Sequence, residues 1–258
     1  MKTRKTAGSK STAAKKQQTK AATASGLKPA DIKSIKCPMV KLYKNKKERM
    51  KIFLERLDFL YPDPACELIH RDPYELISAT ILSAQCTDKQ VNKVTPALFA
   101  AYPMVQDMAR ANVKDVEELI HSTGFYKNKA KNLIGMAITV TEKHDGQIPD
   151  TMDELVKLPG VGRKTANVVL GNTYGVPGMV VDTHVMRISN KLDFVNSDNP
   201  EKIEKELEKQ VPKAKWVDYS HQVILLGRAL CTAKKTFCDQ CPMSYIMEIR
   251  DIDPNSQE

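Results

Sequence analysis

Residues 158–169 read LPGVGRKTANVV, and within that string Lys164 stands where a glycine-kinked turn becomes an apolar helix. A primary amine at such a junction can act as a cation toward phosphate or, uncharged, as a nucleophile. Gly160 and Gly162 flank Val161 and allow backbone angles and a close approach that a Cβ would block. The turn and the first amides of the following helix can then be aimed at a phosphate oxygen. Such a contact holds nucleic acid without reading its sequence. The alternative is a plain link between two packed helices. Asp182 heads a second helical stretch, where a carboxylate is favoured and either caps the helix or stays ionised to accept a proton. Cys231, Cys238 and Cys241 crowd into one short stretch, which in a reducing compartment suits a metal better than cross-links. Cys37, Cys66 and Cys86 are scattered and read as ordinary thiols.

These groups must be positioned by helices. From about residue 48 onward apolar residues recur at helical spacing, broken every ~12 to 20 residues by Gly or Pro. Residues 74–84, YELISATILSA, are apolar on nearly every face and suit a buried central helix. Over 126–144, Ala130, Leu133, Ile134, Ala137 and Val140 form one stripe, with Lys127, Lys129, Lys131 and Asn132 elsewhere, as in a half-exposed helix. Thr151 and Glu154 form a capping-box pattern for a helix over 151–157. Residues 200–211 place Ile203, Leu207 and Val211 inward. No alternating strand pattern is present, so the fold class is all-α.

The chain has 258 residues, 41% of them hydrophobic, enough for one large core or two modest ones. No run reaches the ~18 to 20 apolar residues of a membrane helix, and the N-terminal charges are not followed by a signal-peptide core. A reducing cytosol is the expected location. The net charge of +9 is unevenly placed. Residues 1–47 hold fourteen of the 40 Lys and Arg and one of the 31 acids, Asp31, so this stretch carries +13 and the remainder −4. A Lys, Ala, Ser and Thr tail buries too little to offset its ordering entropy and is expected to be a disordered basic arm suited to a polyanion. A solubilising tail is the bland alternative.

Four strings, ILSAQCTDKQVNK (81–93), TGFYKNKAKNL (123–133), LPGVGRKTANVVL (158–170) and VVDTHVMRISNKL (180–192), resemble in content, order and spacing the endonuclease III family of helix-hairpin-helix DNA glycosylases. The likeness spans roughly residues 48–250. It implies a six-helix domain over about 66–177 containing the hairpin, and a second helical domain from 48–65 with 178–258, with Lys164 and Asp182 facing each other across a cleft. It implies a base-excision-repair enzyme acting as a monomer on double-stranded DNA bearing oxidised pyrimidines or abasic sites. It would work in the cytoplasm over the nucleoid of a bacterium, or in a nucleus.

By the same resemblance Lys164 matches the nucleophile and Asp182 the assisting carboxylate. The amine forms a Schiff base with the sugar and β-elimination follows, so lysine implies lyase as well as glycosylase. It must be uncharged to attack, which an apolar cleft and a neighbouring cation such as Arg163 would favour. Gln85 matches the residue that enters the duplex once a nucleotide is rotated out; a turn-capping Gln is the alternative. Gly160, Gly162, Arg163, Lys127 and Lys129 read as backbone contacts, and His184 and Arg187 as pocket-lining or backbone-touching residues. The family holds a four-iron, four-sulfur cluster on four cysteines. Cys231, Cys238 and Cys241 fit three positions, and the fourth falls on Met247. A three-thiolate cluster, zinc with His221 or water, and no metal are the three readings. The mismatch-adenine branch lacks the hairpin lysine, and a non-catalytic hairpin module remains the other competitor.

Overall fold

The computed structural model describes residues 45–233 and Cys241. The basic arm up to residue 44, Cys37, Cys238 and Met247 lie outside the described residues. Among those described, the chain forms helices and no sheet: α1 (Lys46–Leu60), α2 (Pro73–Leu82), α3 (Asp88–Ala101), α4 (Val105–Ala109), α5 (Val113–Ile120), α6 (Tyr126–Lys143), α7 (Met152–Leu155), α8 (Arg163–Val169), α9 (Thr183–Lys191), α10 (Pro200–Glu208) and α11 (Trp216–Ala229). None is long and apolar enough to cross a membrane.

Helix α2 starts where Pro73 follows Asp72, whose carboxylate accepts the Glu75 amide at 2.9 Å. Every residue from Tyr74 to Leu82 is buried, the polar Glu75, Ser78 and Thr80 among them, so this mostly apolar helix sits inside the first core. That core joins α2 to α3, α5, α6 and α8 through residues such as Leu76, Leu98, Leu133 and Val169. A second core gathers α1, α9, α10 and α11 around Phe53, with the Phe194 ring 5.2 Å away and Tyr219 edge-on at 6.2 Å. Each fully buried side chain of this size contributes about 1.5–3 kcal/mol.

From residue 176 to α9 the chain is non-helical, and residues 179–181 alternate between the cores. Met179 and Val181 pack into the second core and Val180 into the first. The Val180 amide donates to Ser220 Oγ at 2.9 Å, and Asn167 Nδ2 donates to the Met179 carbonyl at 3.0 Å. This three-residue threading fixes where Asp182 emerges, at the seam. The alternation is too short to read as a strand.

Two expectations need correction. The α7 helix covers only Met152–Leu155, and Thr151 makes no side-chain cap; Glu154 is spent on Lys157 at 2.6 Å and on His144 instead. Lys129 is buried rather than on an outer face, and its Nζ donates to the Thr123 carbonyl at 2.8 Å. Burial lowers the pKa of that amine.

After α8 the helix widens into a π turn, Leu170–Tyr174, set against α11. A Cβ on Gly171 would fall 2.7 Å from Val217 Cγ2, so the two helices meet through a missing side chain. His221 Nε2 lies 3.0 Å from Asn172 Oδ1 in this contact. Burial pushes its pKa down from 6.5 to about 4. The folded state therefore favours the neutral ring, while the unfolded chain takes up a proton as pH falls past 6.5. Stability present above pH 6.5 is expected to decline toward pH 4, by about 2–3 kcal/mol at the acid end. Urea midpoints measured between pH 7 and 4 check this: His221→Gln should flatten the decline, and an unchanged slope would contradict it.

Candidate active site

The hairpin is built from the end of α7, the turn Leu158 to Gly162 and the start of α8. Leu158 and Val161 are buried, which anchors the turn, while Gly160, Gly162 and Lys164 stand exposed. Gly160 has φ +77°, and a Cβ there would meet Asn132 Cβ at 2.8 Å. Gly162, at φ −96°, has open space where a Cβ would go. Folding therefore requires glycine at 160 but not at 162. Gly160→Ala is expected to destabilise the protein by more than about 1 kcal/mol in a thermal melt. Gly162→Ala should cost about 0.5 kcal/mol as a poorer helix cap, yet weaken duplex binding by about five- to tenfold, measured by fluorescence anisotropy. Equal effects on both observables at both positions would remove the distinction.

Asp182 caps α9, with Oδ1 accepting the amides of His184 and Val185, each at 2.8 Å. The cap uses Oδ1 alone and leaves the other carboxylate oxygen to other work. Asp88, the first residue of α3, is electrostatically coupled to both Lys164 and Asp182. Burial raises the Asp88 pKa; the positive Lys164 opposes that shift, the negative Asp182 adds to it and His184 opposes it. The contacts that bring α3 toward Asp182 run through α11, where Gly227, beside Arg228, packs on His184. Arg228 Nη2 from α11 donates to Asp88 Oδ2 at 2.7 Å, and its other nitrogen pairs with Glu67. Neither Asp88 nor Arg228 was singled out by sequence, because an acid beside a Thr cap looks like any helix start.

Gln85 is exposed with φ +53°. The cap of α3 is Thr87, whose Oγ1 accepts the Gln90 amide, so Gln85 does not cap this turn. Its left-handed backbone is strained for a non-glycine residue. Phe125, missed by sequence, is likewise left-handed at φ +49°, and it is 63% exposed. Gln90 Nε2 donates to Ser122 Oγ at 2.7 Å, which ties the Gln85 and Phe125 loops together. An exposed aromatic between a glycine and a lysine-rich helix start was the available signal.

Other predicted residues are placed differently. Lys127 is exposed and free to approach a strand; Lys129 is not, as described above, which corrects the expected phosphate contact. Arg163 turns to Glu204 of α10, with Nε 3.1 and 3.0 Å from the two carboxylate oxygens and Nη2 2.7 Å from Oε1. The pair offsets the positive charge expected to act on Lys164, while the Arg163 side chain stays 46% exposed. His184 packs on Gly227, where a Cβ would fall 2.5 Å from its Nδ1. Arg187 Nη2 donates to the Cys231 and Gly227 carbonyls, so it ties α9 to the cysteine turn rather than reaching outward.

The chain matches the HhH-GPD superfamily base excision DNA repair protein family over residues 78–213. The chain belongs to this superfamily. As a member it is a base excision repair enzyme of the DNA glycosylase and lyase kind. It is 47% identical over 203 residues to endonuclease III of Synechocystis sp., covering 78% of this chain and 93% of the relative. It is 40% identical over 207 residues to endonuclease III of Escherichia coli K12, covering 80% and 98%. Among solved structures of the superfamily, a non-covalent endonuclease III–DNA complex superposes with a TM-score of 0.75 at 42% identity, over 81% of this chain and 95% of that one. A trapped endonuclease III–DNA covalent intermediate gives the same TM-score and identity, over 81% and 96%.

The cysteine end offers a test for a bound group. Cys231 is buried and Cys241 packs against the second core. The Tyr61 hydroxyl is buried and finds no hydrogen-bond partner among the described residues. Its pKa is raised, chiefly by burial and secondarily by the nearby Cys241. A buried donor left unpaired near a cysteine suits a group that brings its own acceptor sulfur. The zinc reading loses its histidine, because His221 is engaged with Asn172.

Proposed function

We propose that this chain removes oxidised pyrimidines from duplex DNA through a Schiff base on Lys164 and then cleaves the abasic strand. The carrying observation is the exposed amine on the first turn after the hairpin, on a helix whose Asn167 holds the Met179 carbonyl three residues before Asp182. The hairpin amides and the open Gly162 grip a phosphate, and Lys127 adds a second contact. The damaged nucleotide rotates out of the stack. Gln85 and Phe125 enter the gap, the amide pairing with the orphaned base and the ring stacking beside it.

The uncharged Lys164 Nζ bonds to C1′ as the N-glycosidic bond breaks, and that bond's electron pair leaves with the base, which takes a proton. Asp182 steadies the positive charge that develops on the sugar and receives the proton shed by the amine. Opening of the sugar ring gives an iminium. It acidifies C2′; loss of that proton expels the 3′ phosphate, and water then releases Lys164. A panel of duplexes, each with one lesion, tests this: base release and strand cleavage should rise together on saturated or oxidised pyrimidines. Release without cleavage would contradict the lysine route.

Cys231, Cys238 and Cys241 would hold a four-iron, four-sulfur cluster, with Met247 at the fourth position and Tyr61 donating to a sulfur. Its part would be structural, fixing the turn that Arg187 joins to α9. Anaerobic purification should yield about four irons and four sulfides per chain; an iron-free protein with full activity would remove this reading. The basic arm adds salt-dependent affinity for DNA, and the working location is the cytoplasm over a bacterial nucleoid.

A further inference from the structure

We infer that Glu204 is a positioning residue that sets the register between Lys164 and Asp182. This rests on the reading of those two residues as the catalytic pair. Glu204 lies on α10 in the second-core half and is 5% exposed. A buried carboxylate needs compensation, and two partners supply it. Arg163, the residue before Lys164, binds it in bidentate fashion, and Asn167, one turn further along α8, donates Nδ2 to Oε1 at 3.3 Å. The same Asn167 nitrogen donates to the Met179 carbonyl, three residues before Asp182. A Cβ on Gly178 would fall 2.6 Å from Asn167 Oδ1, so the chain passes directly beneath that amide.

One carboxylate therefore ties down the first turn of the nucleophile's helix and, through Asn167, the non-helical segment that delivers the assisting acid. The two catalytic groups come from different cores and are joined at this point by polar contacts of fixed geometry, bidentate guanidinium and planar amide. Loss of the tie lets α8 and the 179–182 segment shift independently, and a misplacement near 1 Å can lower a rate by about a hundredfold.

The test uses the full chain with Glu204→Ala, Glu204→Gln, Arg163→Ala and the double variant Arg163→Ala/Glu204→Ala. For each, the single-turnover rate of borohydride trapping on abasic-site duplex, the Kd for uncleavable duplex and the Tm are measured. Glu204→Ala should slow trapping by about ten- to a hundredfold with Kd changed less than about threefold. Glu204→Gln, which still accepts from Arg163 and Asn167, should recover most of the rate. The double variant should be no slower than Glu204→Ala. Trapping at the wild-type rate in folded Glu204→Ala, or a double variant whose losses multiply, would overturn the proposal. So would a Glu204→Gln rate as low as that of Ala with Tm restored. If Glu204→Ala fails to fold, Glu204→Gln and Arg163→Ala carry the comparison, and wild-type rates in both overturn it. A wild-type chain that traps nothing refutes the Lys164 reading instead, so the two failures are told apart.

Discussion

Lys164→Ala is expected to abolish covalent trapping and to lower base release by about 10⁴-fold or more, the scale of losing a nucleophile. Binding and folding should barely change. The side chain is exposed on the first turn of α8, so its removal should alter stability by no more than about 0.5 kcal/mol. It neutralises at most one phosphate, so the slope of log affinity against log salt should fall by about one. A module that uses the hairpin only to hold DNA would show the opposite pattern, with binding weakened and no trapping in either protein. Anisotropy, melting and borohydride reduction on the same preparations separate the two.

Asp182 combines two jobs that the right substitution separates. Asp182→Asn keeps an oxygen at the α9 cap, where Oδ1 accepts two amides, so the Tm should stay close to wild type. The charge is gone, and base release should slow by about 10²- to 10⁴-fold. Asp182→Ala loses the cap as well and should cost about 1 kcal/mol of stability in addition. If Asn matched wild type in rate while Ala alone were slow, the carboxylate would be a helix cap and nothing more.

The helices were legible wherever apolar spacing ran unbroken, as in α2 and α6, because burial of one face dominates local preference. Legibility failed where a polar residue sits on such a face. Lys129 lies four residues before Leu133 and eleven before Val140, on the buried stripe itself, and Glu204 shares a face with Leu207 and Val211. In both cases spacing carried the signal, but charged side chains are read as solvated by default. A buried charge becomes legible only when its partner is known, and Thr123, Arg163 and Asn167 come from other turns or helices. The short α7 shows the converse. Thr151 and Glu154 have the right spacing for a capping box, but Lys157 and His144 compete for the carboxylate. The hairpin and Asp182 were legible from their types and order. Asp88 was not, since it depends on Arg228 arriving from α11, and Phe125 was signalled only by an aromatic set between a glycine and a lysine-rich helix start, with its left-handed backbone hidden.

The most direct measurement is to reduce the complex with abasic-site DNA, digest the protein and locate the sugar remnant by mass spectrometry. The account predicts the remnant on Lys164 alone. A remnant on Lys127, Lys129 or another lysine, or reduced complexes that leave Lys164 unmodified, would contradict it.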